Sequence, residues 1–181
     1  MRLHATLFAP LYLAIVVLLH GASTSPVTAS EWIPKLEDRV TDIAHVLSTT
    51  DRKRLIDMLD GYERETFHQI AVLTIPTLSG ESIESFSLRV ANSWTLGHKG
   101  LDNGILVTLA MKERRIRIEL GFGMEKFITN ATADSIIKNA MIPAFAKGDY
   151  AGGLESGLKQ LMKEARKFVI TPADLQRSKQ H

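Results

Sequence analysis

The chain has 181 residues, 45% of them hydrophobic and 23% charged, with a net charge of +2, a balance that fits one ordinary globular domain with its own core. The small charge, without a basic run or aromatic and basic interleaving, gives no support to nucleic-acid binding. The absence of cysteine excludes a disulfide partner, thiolate catalysis and thiolate-bound zinc, while leaving an oxidising compartment open.

In chain order, Arg2 precedes an apolar core from Leu7 to Leu19 and small residues from Ala22 to Ser30, the pattern of a secretory signal peptide over residues 1–29. The expected location is periplasmic or secreted. An uncleaved N-terminal helix anchoring the chain in a membrane is the alternative. From Glu31 to Leu47 there is no sustained period, and Pro34 interrupts it, so an extended lead-in is expected with Asp42 on a loop. Ser48 then caps a helix, with Asp51 three residues on and Leu55, Leu59 and Tyr62 along one face.

Gln69 to Ile75 reads as a strand ended by Pro76, and Ser79-Gly80 leads to a second helix faced by Ile83, Phe86, Val90 and Trp94. The segment from Leu101 to Thr129 is the centre of the chain. Asp102-Asn103-Gly104 forms a polar turn before a predominantly apolar strand, Ile105 to Ala110. After a charged break at 111–114, Ile116, Ile118 and Leu120 alternate with Arg115, Arg117 and Glu119, a half-exposed strand. The two strands form a hairpin, and strand–helix–strand order makes Gln69 to Ile75 parallel to Ile105 to Ala110. Thr129 caps a third helix that Pro143 ends or kinks. Lys147-Gly148-Asp149 turns into a last helix from Tyr150 to Phe168, with Leu154, Leu158, Leu161 and Ala165 inside and Gly153 and Gly157 allowing close approach. These elements add up to a three-layer α/β/α sandwich with a small mixed sheet. One domain is expected over residues 30–168, followed by a polar tail at 169–181.

Hairpin pairing places Asp102 beside Gly121, Phe122 and Gly123, with Asn103 and Gly104 next to it in the turn, and parallel pairing brings His68 to the same edge. An acid, an amide and glycines gathered beyond rigid strands suit an oxygen-ligand metal site or a small ligand cleft. The same Asp102 also suits a turn carboxylate that caps local amides. Gly121-Phe122-Gly123 lacks the third glycine of a dinucleotide loop and does not follow the first strand of a βαβ unit. No phosphate loop, Gly-x-Ser-x-Gly elbow or metalloprotease histidine spacing occurs, so no organic cofactor is expected.

The ordered series Arg39-Val40-Thr41-Asp42, the strand Gln69 to Ile75, Trp94 and Gly97, Asp102-Asn103-Gly104, Gly121-Phe122-Gly123-Met124-Glu125, Ile128-Thr129-Asn130, Pro143 and Gly148-Asp149-Tyr150 resembles a TPM domain over Pro34 to Ala165. That family includes a plant thylakoid-lumen protein linked to photosystem II repair and acid phosphatase activity, and bacterial envelope proteins. The resemblance assigns the Asp102-Asn103-Gly104 turn to the family's cleft, makes Asp42 and Glu125 further acidic ligands, and implies calcium as the cation. For Asp42 the alternative is a plain N-terminal cap near His45, and Glu125 suits a solvated loop residue about equally well. Asn130 stands where the family often has aspartate; it supplies oxygen without charge, which implies weaker calcium affinity if it ligates. Asp149 is expected to be a helix cap.

The function implied is a calcium-binding module acting with a membrane or envelope protein complex during assembly, repair or maintenance. A weak metal-dependent acid phosphatase, with metal-bound water beside Asp102, Asp42 and Lys99, and a purely structural envelope protein are the alternatives.

Overall fold

A computed structural model describes residues 32–180; the signal segment therefore lies outside the described residues. Four strands pair in the order β1 (Val40–Asp42), β2 (Gln69–Ile75), β3 (Gly104–Ala110) and β4 (Arg115–Leu120). The first three run parallel and β4 returns antiparallel to β3. Strand β1 corrects the expected loop at Asp42. Three residues are too few to show a period, and they form a strand because β2 offers a free edge: the Val72 amide donates to Arg39 O at 2.8 Å and the Ile43 amide to Thr74 O at 3.1 Å.

Central strands β2 and β3 are buried on both faces, which is why they read as largely apolar runs, interrupted only by Thr74 and Thr108 after their first residues. Along β2, Ile70 and Val72 enter one cluster while Ala71, Leu73 and Ile75 enter the other, as a period of two requires. The first cluster packs against Leu55, Leu59 and Tyr62 of α1 (Thr49–Thr66) and Leu154, Leu158 and Leu161 of α5 (Tyr150–Ala165). The second packs against Ile83, Phe86, Val90 and Trp94, on α2 (Ile83–Ser93) and its C-cap. The lead-in closes this second layer, with Ile33 and Leu36 against it and the Trp94 indole N–H donating to Pro34 O at 2.7 Å. Helices thus cover both faces of a small mixed sheet, the three-layer arrangement expected.

Local signals explain the helix starts. Ser48 Oγ accepts from the Asp51 amide at 3.1 Å, Ser82 Oγ from Ser85 at 3.1 Å, and Thr129 Oγ1 from Thr132 at 3.2 Å, each satisfying an amide that the first helical turn leaves without a carbonyl. Asp149 does the same for Gly152 at 2.8 Å, the capping role expected of it.

Pro143 neither simply ends nor kinks the third helix. It follows α3 (Asn130–Ile136) and sits in α4 (Ile142–Phe145), and between them residues Ile137–Met141 form a wide π turn in which the Ile142 amide donates to Ile137 O. Proline has no N–H for the carbonyl four residues back, and its ring crowds that carbonyl, so the turn before it opens by one residue. The close approaches at α5 are real: a Cβ on Gly153 would meet the Phe145 ring at 2.4 Å, and one on Gly157 the Met141 methyl at 2.2 Å. The expected polar tail contains α6 (Pro172–Ser178), closed by a reciprocal Thr171 and Asp174 cap, with Ile170 buried beneath. None of the helices among the described residues is long and apolar enough to cross a membrane.

Candidate functional site

The amino-terminal ends of β2 and β3 and the carboxyl end of β4 meet at one edge of the sheet, and the loops beyond them lock together backbone on backbone. The Gly121 amide donates to Gly104 O at 2.8 Å and the Gly123 amide to Asp102 O at 3.1 Å. A Cβ on Gly121 would sit 2.2 Å from Asp102 O, and one on Gly123 only 2.0 Å from Leu101 O. These two glycines therefore serve close packing of the turn and the Phe122–Met124 helical turn that follows β4. The expected adjacency of Asp102 to Gly121, Phe122 and Gly123 is present.

Asn103 is the pin of this edge. Fully buried, its Oδ1 accepts from the His98 amide at 2.7 Å, and its amide group donates to Phe67 O at 2.6 Å, beyond the end of α1. It thereby ties the 97–103 loop to the α1–β2 connection. With both ends of the side chain engaged inside the protein, Asn103 supplies architecture to the edge. His68 is likewise buried at this edge, beside the start of β2. One ring nitrogen, Nε2, lies 2.8 Å from Phe168 O, while Nδ1 has no partner. Burial holds the imidazole below its ordinary value of 6.5, with smaller contributions from the charges of His98 and Arg166.

A cleft of about 360 Å³ opens where α2 passes over this edge, lined by Leu88, Ala91 and Asn92 of α2, by Asp102 and Gly104, and by Glu119, Gly121, Phe122 and Glu125. Asp102 and Glu125 thus share one cavity. Glu119 joins them, its Oε2 accepting from Arg117 Nε at 2.9 Å. Phe122 is 72% exposed and Leu88 50% exposed, two large apolar side chains beside three carboxylates. Glu119, Leu88 and Asn92 escape a reading for motifs, yet their signals are present. Glu119 occupies the alternating β4 face that points toward α2, and Leu88, Ala91 and Asn92 follow one helical flank at i, i+3, i+4.

Two expected ligands lie elsewhere. Asp42 pairs in register with Thr74, at the opposite end of β2 from Gln69, which faces Gly104. Five residues of strand separate the two edges, about 16 Å. Its carboxylate is engaged locally, accepting from the amides of Val46 at 3.2 Å and Leu47 at 2.9 Å and from the Thr74 hydroxyl, so Asp42 organises the β1–α1 loop. The Asp42 loop, at the carboxyl end of β1, is thus not among the segments that line the cleft, which lies at the amino-terminal ends of β2 and β3. Asn130 is exposed in the first turn of α3 and is not among the residues that line the cleft. Among the described residues no three His, Asp or Glu side chains are grouped so as to hold a metal ion.

Comparison with solved structures gives an N-terminal domain of a Porphyromonas gingivalis protein at TM-score 0.67 and 29% identity, covering 75% of this chain and 89% of that one. The BA42 protein of Bizionia argentinensis matches at TM-score 0.61 and 20% identity, over 71% of this chain and 88% of that one. An N-terminal domain from Corynebacterium glutamicum matches at TM-score 0.56 and 18% identity, over 78% and 89%; the last two likenesses are of fold. No curated protein matches. The family model for the TPM domain matches residues 40–164, from the first strand through α5, and the chain belongs to the TPM domain family.

Proposed function

We propose that this protein is an exported binding module, and that the cleft under α2 docks a segment of a membrane or envelope protein complex during its assembly, repair or maintenance. The observation that supports this reading is the composition of the cleft: two exposed apolar side chains, Leu88 and Phe122, beside Asp102, Glu119 and Glu125. Such a surface complements an apolar side chain flanked by lysine or arginine, with the apolar contact giving affinity and the carboxylates giving orientation. An acidic lining repels a phosphate ester unless a cation neutralises it, so hydrolysis is the less favoured use. A second reading is favoured by the sharing of one cavity by Asp102 and Glu125: calcium binds there weakly, with water and partner oxygens completing its shell.

Capture from envelope extracts by the wild-type chain, by Phe122→Ala and by the double variant Asp102→Asn/Glu125→Gln tests the docking reading, with calcium or a chelator present. One partner retained by wild type and lost from both variants is expected; the same partner kept by both variants refutes this use of the cleft. Calorimetric titration with calcium, together with release of p-nitrophenol from its phosphate, separates the cation and phosphatase readings. No heat up to millimolar calcium ends the first. Phosphate-ester turnover that disappears in folded Asp102→Asn would replace docking by catalysis.

A further inference from the structure

The opposite edge of the sheet carries a second and larger cavity, of about 530 Å³, within the range of pockets that enclose small molecules. Its floor is apolar. Leu109 and Ile116 come from the β3–β4 hairpin, and Ile142 and Phe145 from α4, across the groove. Ile142 stays 45% exposed because the other side of this segment is fixed against α5, where Gly153 admits the Phe145 ring. Two residues with polar ends, the exposed Arg114 and the half-buried Tyr150, also line it.

The charge around the groove is positive in balance. Arg114 and Arg115 make no ion pair among the described residues, and Lys112 stands beside them on the same turn. Lys147 flanks the groove from the loop before α5. The two acids nearby, Glu113 and Asp149, keep their charge but are held locally, Glu113 by the Thr77 hydroxyl at 2.8 Å and Asp149 by the Gly152 amide, so four cations face two acids there. Arg114 also has a φ of 51°, a left-handed conformation that glycine adopts without strain and arginine does not. An apolar trough with an unpaired guanidinium and a phenol is matched to a molecule having a hydrocarbon tail and one anionic head, because guanidinium holds a carboxylate through two parallel hydrogen bonds.

We propose that this groove binds a free single-chain amphiphilic anion of the fatty-acid class, its tail along Leu109, Ile116, Ile142 and Phe145 and its carboxylate on Arg114 and Tyr150. Decanoate, added to the full chain below its micelle concentration and followed by amide NMR, is expected to give saturable shifts at residues 109–116 and 142–150. Decanol, with the same tail and no charge, should bind about tenfold more weakly or worse, as should decanoate to Arg114→Gly. The glycine variant should melt at or above the wild-type temperature, since the substitution relieves a left-handed arginine. Ala146→Phe, at an exposed helix-end position on the groove, should fill the trough and abolish the shifts while leaving those of the Asp102 edge unchanged. Absence of saturable shifts, equal affinity of Arg114→Gly and wild type, or association with anionic phospholipid vesicles without any response to monomeric decanoate would each overturn the assignment.

Discussion

His68 shows how one side chain couples protonation to the fold. Its Nε2 meets the Phe168 carbonyl, and its unpartnered Nδ1 would become a buried N–H without an acceptor on protonation. The folded-state value is therefore depressed, and the unfolded chain binds a proton more readily than the folded one. Stability from this group is complete above the unfolded value of about 6.5 and is lost as pH falls toward the folded value. A fall in melting temperature between about pH 7 and pH 5 is expected, with a shallower fall in His68→Phe; equal slopes in the two proteins would mean that other groups govern the acid limb. Asn103 makes a related point about legibility. Its place in a turn next to Asp102 is plain in the sequence, but its partners, His98 and the distant Phe67, come from chain segments that only the folded state brings together.

Among the elements, the long periodic ones are legible and the short ones are not. Helix α1 with its Ser48 cap, strands β2 and β3, the hairpin and α5 all carry a repeated pattern or a cap within their own residues. Strand β1 has three residues and exists through its neighbour, and the π turn follows from Pro143 in a way that the order of residues does not show. Glycines divide the same way. Gly123 faces the Leu101 carbonyl at 2.0 Å and Gly157 the tip of the Met141 side chain at 2.2 Å, nearly equal distances with unequal consequences. Gly123→Ala must push backbone out of a hydrogen-bonded loop and should cost about 2 to 3 kcal/mol. Gly157→Ala meets the Met141 methyl and also its Cγ at 2.5 Å, side-chain atoms that yield more readily than backbone, and gains helix propensity, so a smaller cost of about 1 to 2 kcal/mol is expected. Urea unfolding of the two variants measures the difference, and equal losses would show that Met141 is as immovable as the backbone.

Across the whole molecule, the parallel arrangement keeps the two edges of the sheet apart and gives them different work. Two acidic motifs of the family series, Asp42 and Asp102, thus end at opposite ends of the strands, more than about 16 Å apart, a separation that comes from the fold and not from the motifs themselves. Asp42→Asn weakens the acceptor for two amides and the Thr74 hydroxyl and should destabilise by about 1 to 2 kcal/mol. Asp102→Asn, exposed and at a left-handed φ of 46°, should stay within about 0.5 kcal/mol of wild type, since asparagine tolerates that conformation. The double variant should show the sum of the two effects within about 0.5 kcal/mol in denaturant unfolding. A larger discrepancy would reveal coupling between the edges through β2.

The ends of the strand ladder bear on how the protein meets others of its kind. On one side the sheet stops at β1, whose three residues offer an incoming strand almost no length to pair with. On the other it stops at β4, where Arg115, Arg117 and Glu119 place charge along the outermost strand. Short and charged borders are the devices by which sheets resist edge-to-edge growth into larger aggregates. At high concentration the folded protein is thereby guarded against sheet extension, and recognition by this molecule is directed to loops and grooves at the strand ends.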